Sequence, residues 1–250
     1  LHQVNYIDMK ILVCMSVVPD TTTKIAFTDN DTKFNTQGVT FIVNPYDELA
    51  LTKGLEIAEA NGGTVTVCHV GSSSSDAAIR KALSIGASEA IRIDAEPLDS
   101  QFVASQIAPI AKEYDMVITG RESIDYNGGA VCGLLGAELN WPSVNVVTEI
   151  AVADRKATIE HDIDGGREEL EVNLPVVVSA QKDLCEPRIP NMKSIMQARM
   201  KPLNVVPAIE VTQQSEYHTY DLPPAKQGVK LVDASDPAAL VEMLKLEKII

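Results

Sequence analysis

A doubly wound, mostly parallel α/β sheet is the fold class predicted for about residues 9–150, and three features of the sequence predict it. Short apolar runs alternate with stretches of helical period, and strand–helix–strand repeats close as parallel pairs with right-handed crossovers. The strand runs are apolar throughout rather than alternating, the pattern of strands covered by helices on both faces. With 250 residues and 45% hydrophobic side chains, the chain has material for one large core, or for one domain with an appendage.

In chain order, strands are expected at Ile11–Met15, Val65–Val70, Ala90–Ile93 and Met116–Thr119. Helices are expected between and after them at Asp47–Ala60, Ser75–Ile85, Phe102–Tyr114 and Gly129–Leu139. In the second helix Ala78, Ile79, Ala82, Leu83 and Ile85 recur mostly at three- and four-residue steps, which is one helical face. The character changes after Val144. Ala157–Ile163 and Glu168–Leu174 flank Asp164-Gly165-Gly166, and an Asp-Gly step between two extended runs signals a hairpin. Val176–Ala180 adds an apolar strand, while Pro187 and Pro190 bar a continuous helix across Gln181–Asn191. A short helix at about Met192–Arg199 follows. A last one is expected at Asp236–Lys248, capped by Ser235 or Asp236.

The stretch Asn204–Ala234 is too long for an internal loop of a compact domain. Its apolar residues make it an arm that seeks a surface. The domain reading is therefore 9–200 for an α/β body that includes the 157–174 hairpin and the 181–199 loop and helix, then 201–250 for the arm. Residues 1–8, ahead of Met9, read as upstream or added residues, neither Arg-rich nor apolar enough for a targeting peptide.

Lys and Arg total 21 against 35 Asp and Glu, a formal net charge of −14. A chain this acidic repels a phosphate backbone, which argues against a nucleic-acid partner. One small phosphate can still be held by backbone N–H groups. Cys14, Cys68, Cys132 and Cys185 are far apart and form no CxxC pair, so a reducing compartment is expected rather than a disulfide or zinc framework. No run approaches the roughly twenty apolar residues of a membrane span.

Several motifs of catalysis are missing: no G-x-x-x-x-G-K-[ST], no G-x-G-x-x-G after a strand, no HExxH and no G-x-S-x-G. His2, His69, His161 and His218 lack ligand spacing. What remains is a set of strand-to-helix loops that would gather outside the carboxyl ends of the strands, where open α/β sheets bind ligands. These are Ser16–Asp20, Asn44-Pro45-Tyr46-Asp47, Gly71–Asp76 and Gly120–Val131. The last runs Gly120, Arg121, Glu122, Ser123, Ile124, Asp125, Tyr126, Asn127, Gly128, Gly129, Ala130, Val131 and then enters a helix. It reads either as a phosphate cradle, with the two glycines admitting an anion to the main chain, or as an ordinary connection capped by Asn127. The hydroxyls of Ser72–Ser75 read better as loop and cap residues, and Arg80 and Lys81 as helix-surface charges. Tyr46 could pack on an adenine or flavin ring, or sit half-buried in the core.

These loops, in this order, resemble the electron transfer flavoprotein beta subunit, over nearly the whole chain from Met9. The resemblance is carried by Lys10–Thr21 (KILVCMSVVPDT), Asn44–Glu48 (NPYDE), Ile79–Ala87 (IRKALSIGA), Gly120–Asp125 (GRESID), Asn140-Trp141-Pro142 and Asp162–Pro175 (DIDGGREELEVNLP). Cys185-Glu186-Pro187-Arg188 and Ile195-Met196-Gln197-Ala198 resemble its partner-recognition loop and helix.

The resemblance implies a Rossmann-like adenine-nucleotide fold in a heterodimer with an alpha subunit, which holds most of the FAD and is the surface for the C-terminal arm. It implies AMP in this chain, or a second FAD in electron-bifurcating relatives. The nucleotide site would comprise Cys14, Asn44–Asp47, Val70 and Gly120–Val131, with Thr21 and Tyr46 nearest the alpha-bound flavin. Met192 stands where the family places an aliphatic anchor for a dehydrogenase, with Ile195 beside it. The implied electron path runs from acyl-CoA-type dehydrogenases to a quinone-linked oxidoreductase, in the bacterial cytoplasm rather than the mitochondrial matrix.

The chain departs from the family pattern at Ser16-Val17, where basic residues are usual, at Ala130-Val131, where a polar pair is usual, and at His161. Val131 points toward a second FAD and Tyr126 back to AMP. Two other classes compete. A universal-stress-type nucleotide sensor shares the sheet and phosphate loops but leaves residues 150–250 unexplained. An adenylating enzyme would want a Ser-Gly-Gly-x-Asp-Ser loop, which is missing.

Overall fold

The computed structural model describes residues 9–225 and 228–250; the reading of residues 1–8 lies outside it. In chain order the first elements are β1 (Lys10–Cys14), β2 (Val17–Pro19), β3 (Phe27–Thr28), β4 (Lys33–Phe34), β5 (Phe41–Val43), α1 (Pro45–Asn61), β6 (Thr64–Val70), α2 (Asp76–Ile85) and β7 (Glu89–Asp94). The middle of the chain supplies α3 (Ser100–Ala111), β8 (Met116–Gly120), α4 (Val131–Leu139), β9 (Ser143–Ala153), β10 (Lys156–Ile163) and β11 (Gly166–Asn173). Then come β12 (Val176–Ala180), α5 (Met192–Ala198), β13 (Leu203–Pro207) and α6 (Pro237–Leu246).

Nine strands form one sheet in the order β11-β10-β9-β12-β8-β1-β6-β7-β13. All neighbours from β9 to β13 pair in parallel, and β10 and β11 extend the sheet as an antiparallel hairpin. The expected doubly wound class is thus observed. Successive residues of β1 point to opposite faces: Ile11 and Val13 join the core under α1 and α2, Leu12 and Cys14 the core under α3 and α4. Both layers exclude water, which is why these strands read as unbroken apolar runs.

Local chemistry sets the element ends. Pro45 occupies the first turn of α1, where its missing N–H costs nothing. Gly62, at φ 73°, closes that helix, its N–H on Ala58 O. The Asp99 side chain accepts from Phe102 N, so α3 starts at Ser100, earlier than the sequence suggests, and it ends at Ala111 with Pro109 inside its last turn. Asp236 caps α6 by accepting from Ala239 N.

Two parts of the sheet depart from the sequence reading. Leu203–Pro207 pairs with Ala90–Asp94 as the edge strand, so the arm leaves the body after Pro207 rather than at 201. Ser143–Ala153, assigned no element in the sequence reading, is one eleven-residue strand. It bulges at Val146, whose N–H donates to Ser179 Oγ. Two short ribbons, β2–β5 and β3–β4, fill the segment between the first strand and the first helix.

Candidate functional site

The chain runs from β1 to β6 and β7 on one side, then returns to β8 on the other side of β1. The carboxyl ends of β1 and β8 therefore flank the switch point at which doubly wound sheets bind ligands. A cavity of about 1120 Å³ opens there. Its inner end is apolar, with Cys14, Val70, Val103, Ile107, Val131 and Cys132 among its walls, and Cys14, Val70, Ile107 and Cys132 are buried. The α4 helix begins at this wall. Its N-cap is Ala130, which has no side-chain bond to offer, so the first-turn N–H groups are left to a ligand or water. Asn127 is not the cap: it sits at φ 55° and donates its amide to Glu122 Oε1. Among the described residues that line it, Arg121 is the one Lys or Arg, and Glu122 pairs with it at 3.8 Å. Anion affinity here must come chiefly from main-chain donors.

The loop that feeds α4 is folded by residues of the first helix. Asn44, buried, donates its amide to Glu122 O at 2.8 Å. Asp47 receives Ser16 N and Ser16 Oγ on Oδ2, both at 2.7 Å, and Gly120 N on Oδ1 at 2.9 Å. One carboxylate thus ties the end of β1 to the end of β8. Burial pushes Asp47 up to about 6, against the lowering effect of those hydrogen bonds. His69, also buried, donates Nδ1–H to Met15 O at 2.8 Å, and burial holds its pKa below the ordinary value. Arg92, buried beneath the neighbouring loop, pairs with Asp76 and Asp94 and donates to Gly71 O. Cys14, Cys68 and Cys132 are free, and burial raises each well above the usual thiol range, Cys68 and Cys132 to about 12.

Of the residues expected in the site, Cys14, Thr21, Asp47, Val70, Gly120–Tyr126, Gly128, Gly129 and Val131 line the cavity. Asn44, Pro45, Tyr46, Asn127 and Ala130 are not among the lining residues; Asn44 is buried, Tyr46 half-buried, and Pro45, Asn127 and Ala130 are exposed. Tyr46 packs half-buried against the core beneath Gly120. The Tyr126 ring folds back over Gly128, and its hydroxyl lies 3.4 Å from Ser100 Oγ, so the ring spans the cavity between the loop and the start of α3. Ser72 and Ser74 bond each other, as loop hydroxyls do. Arg80 is no free surface charge: it donates to Ala198 O and Lys201 O.

An aromatic end of the cavity is not foreseen by the sequence reading. Phe27 and Phe34, paired on the β3–β4 ribbon, line it with Tyr217 and Tyr220 of the arm. Phe27 stacks on Tyr220 at 4.9 Å. Tyr220 N donates to Asp31 O, and Gln214 N and Ser215 N donate to Asp99 Oδ2. The first part of the arm therefore lies on its own chain. Asp29-Asn30-Asp31, all at positive φ, was the readable hint: Asx residues between Phe27 and Phe34 mark a turn. Met192, Ile195, Met196 and Met200, outside the cavity lining, present exposed side chains on and just after α5.

A cavity at the switch point, apolar within and rimmed by the uncapped start of a helix, is the ligand-site architecture of the doubly wound α/β class. Comparison with known proteins narrows this. Residues 31–211 match the family described as the electron transfer flavoprotein domain. The chain is similar to the electron transfer flavoprotein subunit beta of Syntrophomonas wolfei, 34% identical over 95% of this chain and 96% of that protein. It is also similar to the subunit beta of Bacillus subtilis (31%, 96% and 98%) and to the mitochondrial subunit beta of Oryza sativa (29%, 96% and 98%). The chain belongs to the electron transfer flavoprotein beta-subunit family.

Proposed function

We propose that this chain pairs with an alpha subunit to form an FAD-containing electron carrier, taking electrons from acyl-CoA-type dehydrogenases and passing them to a quinone-linked oxidoreductase in the bacterial cytoplasm. The observation that carries this reading is the cavity at the β1/β8 switch point, with the bare N-terminus of α4 at its wall. When bound, the flavin supplies the redox chemistry, and the protein supplies position and electrostatics. No helix of the described residues is long and apolar enough to cross a membrane.

AMP fits this cavity. Cys14, Val70 and Ile107 offer an apolar seat for an adenine ring, and the α4 N–H groups with Gly128 and Gly129 offer donors for a phosphate. Tyr126 reaches Ser100 at the start of α3, and this ring favours the smaller AMP. Asn44 and Asp47 hold the loop that carries these donors. The volume and Val131 favour the second reading, a further FAD in place of AMP, because about 1120 Å³ exceeds the roughly 300–1,000 Å³ of ordinary small-molecule sites.

The alpha subunit is the surface that the distal arm lacks. Leu222, Val229, Leu231, Leu246, Ile249 and Ile250 are each at least 60% exposed, a density of bare apolar side chains expected of an interface rather than a free surface. Met192 and Ile195 supply the dehydrogenase contact, where flexible thioethers suit a surface that meets several partners.

The test is co-purification with the alpha subunit, followed by denaturation and chromatography of the released nucleotides. One FAD and one AMP per heterodimer support the plain carrier. Two FAD and no AMP move the reading to a bifurcating protein, and absence of flavin overturns both.

A further inference from the structure

The exposed helix α5 is seven residues long, and one of its side chains, Ala198, is buried. Helices this short do not hold their shape in water without outside help, and one methyl group cannot orient a helix by burial. Two cations do so instead. Arg80, on α2, donates Nη1 to Ala198 O at 2.9 Å and to Lys201 O at 2.6 Å. Lys201, just past α5, sends Nζ back to Leu83 O at 2.9 Å, Ala87 O at 2.6 Å and Gly86 O at 3.3 Å. Each cation thus sits on the carbonyl end of the other's helix, where unpaired carbonyls concentrate partial negative charge. The exchange is reciprocal, and it is separate from the nucleotide cavity.

We propose that Arg80 and Lys201 are positioning residues that hold α5 in the orientation from which Met192 and Ile195 meet the electron-donating dehydrogenase. This rests on the reading of α5 as the docking helix. The upstream loop has its own anchors, Arg188 on Glu59 and Arg188 N on Thr52 Oγ1, and Asn191 caps the helix start by accepting from Ser194 N. The C-terminal end is the one that the reciprocal pair fixes. Both Arg80 bonds leave from Nη1, so Lys at that position keeps the charge and enough donors but not the reach of the guanidinium. The lock preorganises the docking surface, so its loss is felt as weaker encounter with the partner rather than as slower chemistry.

The test uses the purified heterodimer and an acyl-CoA dehydrogenase reduced by butyryl-CoA, with Met192→Lys as the control for docking itself. Arg80→Met and Lys201→Met each raise KM for the carrier about tenfold, the factor that loss of one charge-assisted hydrogen bond makes, with kcat and FAD content unchanged. Arg80→Lys gives an intermediate KM and keeps the assay open if Arg80→Met fails to fold. The double variant Arg80→Met, Met192→Ala raises KM by less than the product of the single effects, since both act on one contact. If Met192→Lys raises KM while Arg80→Met, Arg80→Lys and Lys201→Met do not, the positioning role is overturned and docking stands. If Met192→Lys leaves KM unchanged, the docking reading fails and takes the proposal with it.

Discussion

The Asp47 carboxylate accepts the backbone N–H of Gly120 at 2.9 Å across a separation of 73 residues, and with the two bonds from Ser16 it makes the floor of the switch-point cavity a single cross-braced unit. The brace spans the two strand ends that define the switch point, so its integrity sets the shape of the site.

Asp47 makes stability depend on pH with a definite sign. Its folded pKa of about 6 lies above the ordinary 3.8. Between pH 4 and 6 the folded chain therefore keeps a proton that the unfolded chain releases, and stability falls as pH rises through that window, then levels off. The size is on the order of 2–3 kcal/mol at 1.36 kcal/mol per unit. Asp47→Asn removes this component. Urea unfolding of both proteins at pH 4.5 and pH 7 will show a smaller loss between the two conditions in the variant, and parallel losses would count against the buried carboxylate.

Gly120 tolerates no side chain. A Cβ there would fall 2.2 Å from Asp47 Oδ1 and 2.8 Å from Tyr46 Cβ. Gly120→Ala is expected to cost roughly 1–3 kcal/mol of stability, as overpacking does, and to lower the nucleotide released per heterodimer. Thermal melting and nucleotide chromatography on the same preparation measure both.

The sheet body was legible because its strands bury both faces: Ile11–Cys14 and Val176–Ala180 announce themselves by composition alone. Leu203–Pro207 did not, because an edge strand of five residues ending in proline carries little period, and Val205 is exposed. The cavity's location followed from the loop order, and Gly120–Val131 from its glycines. The work done by Asn44 and Asp47 could not be read, since their partners lie 31–80 residues away. Nor could the aromatic end, which exists only once the arm folds back on the β3–β4 ribbon.

Asp99 serves two segments at once, capping α3 through Oδ1 and holding the arm through Oδ2. Asp99→Ala should therefore destabilise the chain by about 1 kcal/mol, as lost caps do, and also free residues 214–220. Limited proteolysis of the heterodimer will show faster cleavage in that stretch, while unchanged cleavage would mean that the stacking of Tyr220 on Phe27 holds the arm by itself.

Removal of the chain after Pro202 strips β13 from β7 and uncovers its row of backbone donors and acceptors. Such open edges recruit other chains. The shortened protein is expected to elute as oligomers in size-exclusion chromatography even with the alpha subunit present, and a clean heterodimer would show that the edge needs no cover.

The pairing of Leu203 with Ala90 also has a consequence in time. A ribosome delivers the two partners more than a hundred residues apart, an interval of roughly 6–20 s at the usual pace of synthesis. For that interval β7 is a finished strand with a vacant flank, and Lys201 has not yet reached the carbonyls of α2. Newborn chains thus fasten the C-terminal end of α5 only after Ser16, Asp47 and Gly120, the residues of the cavity floor, have all been delivered.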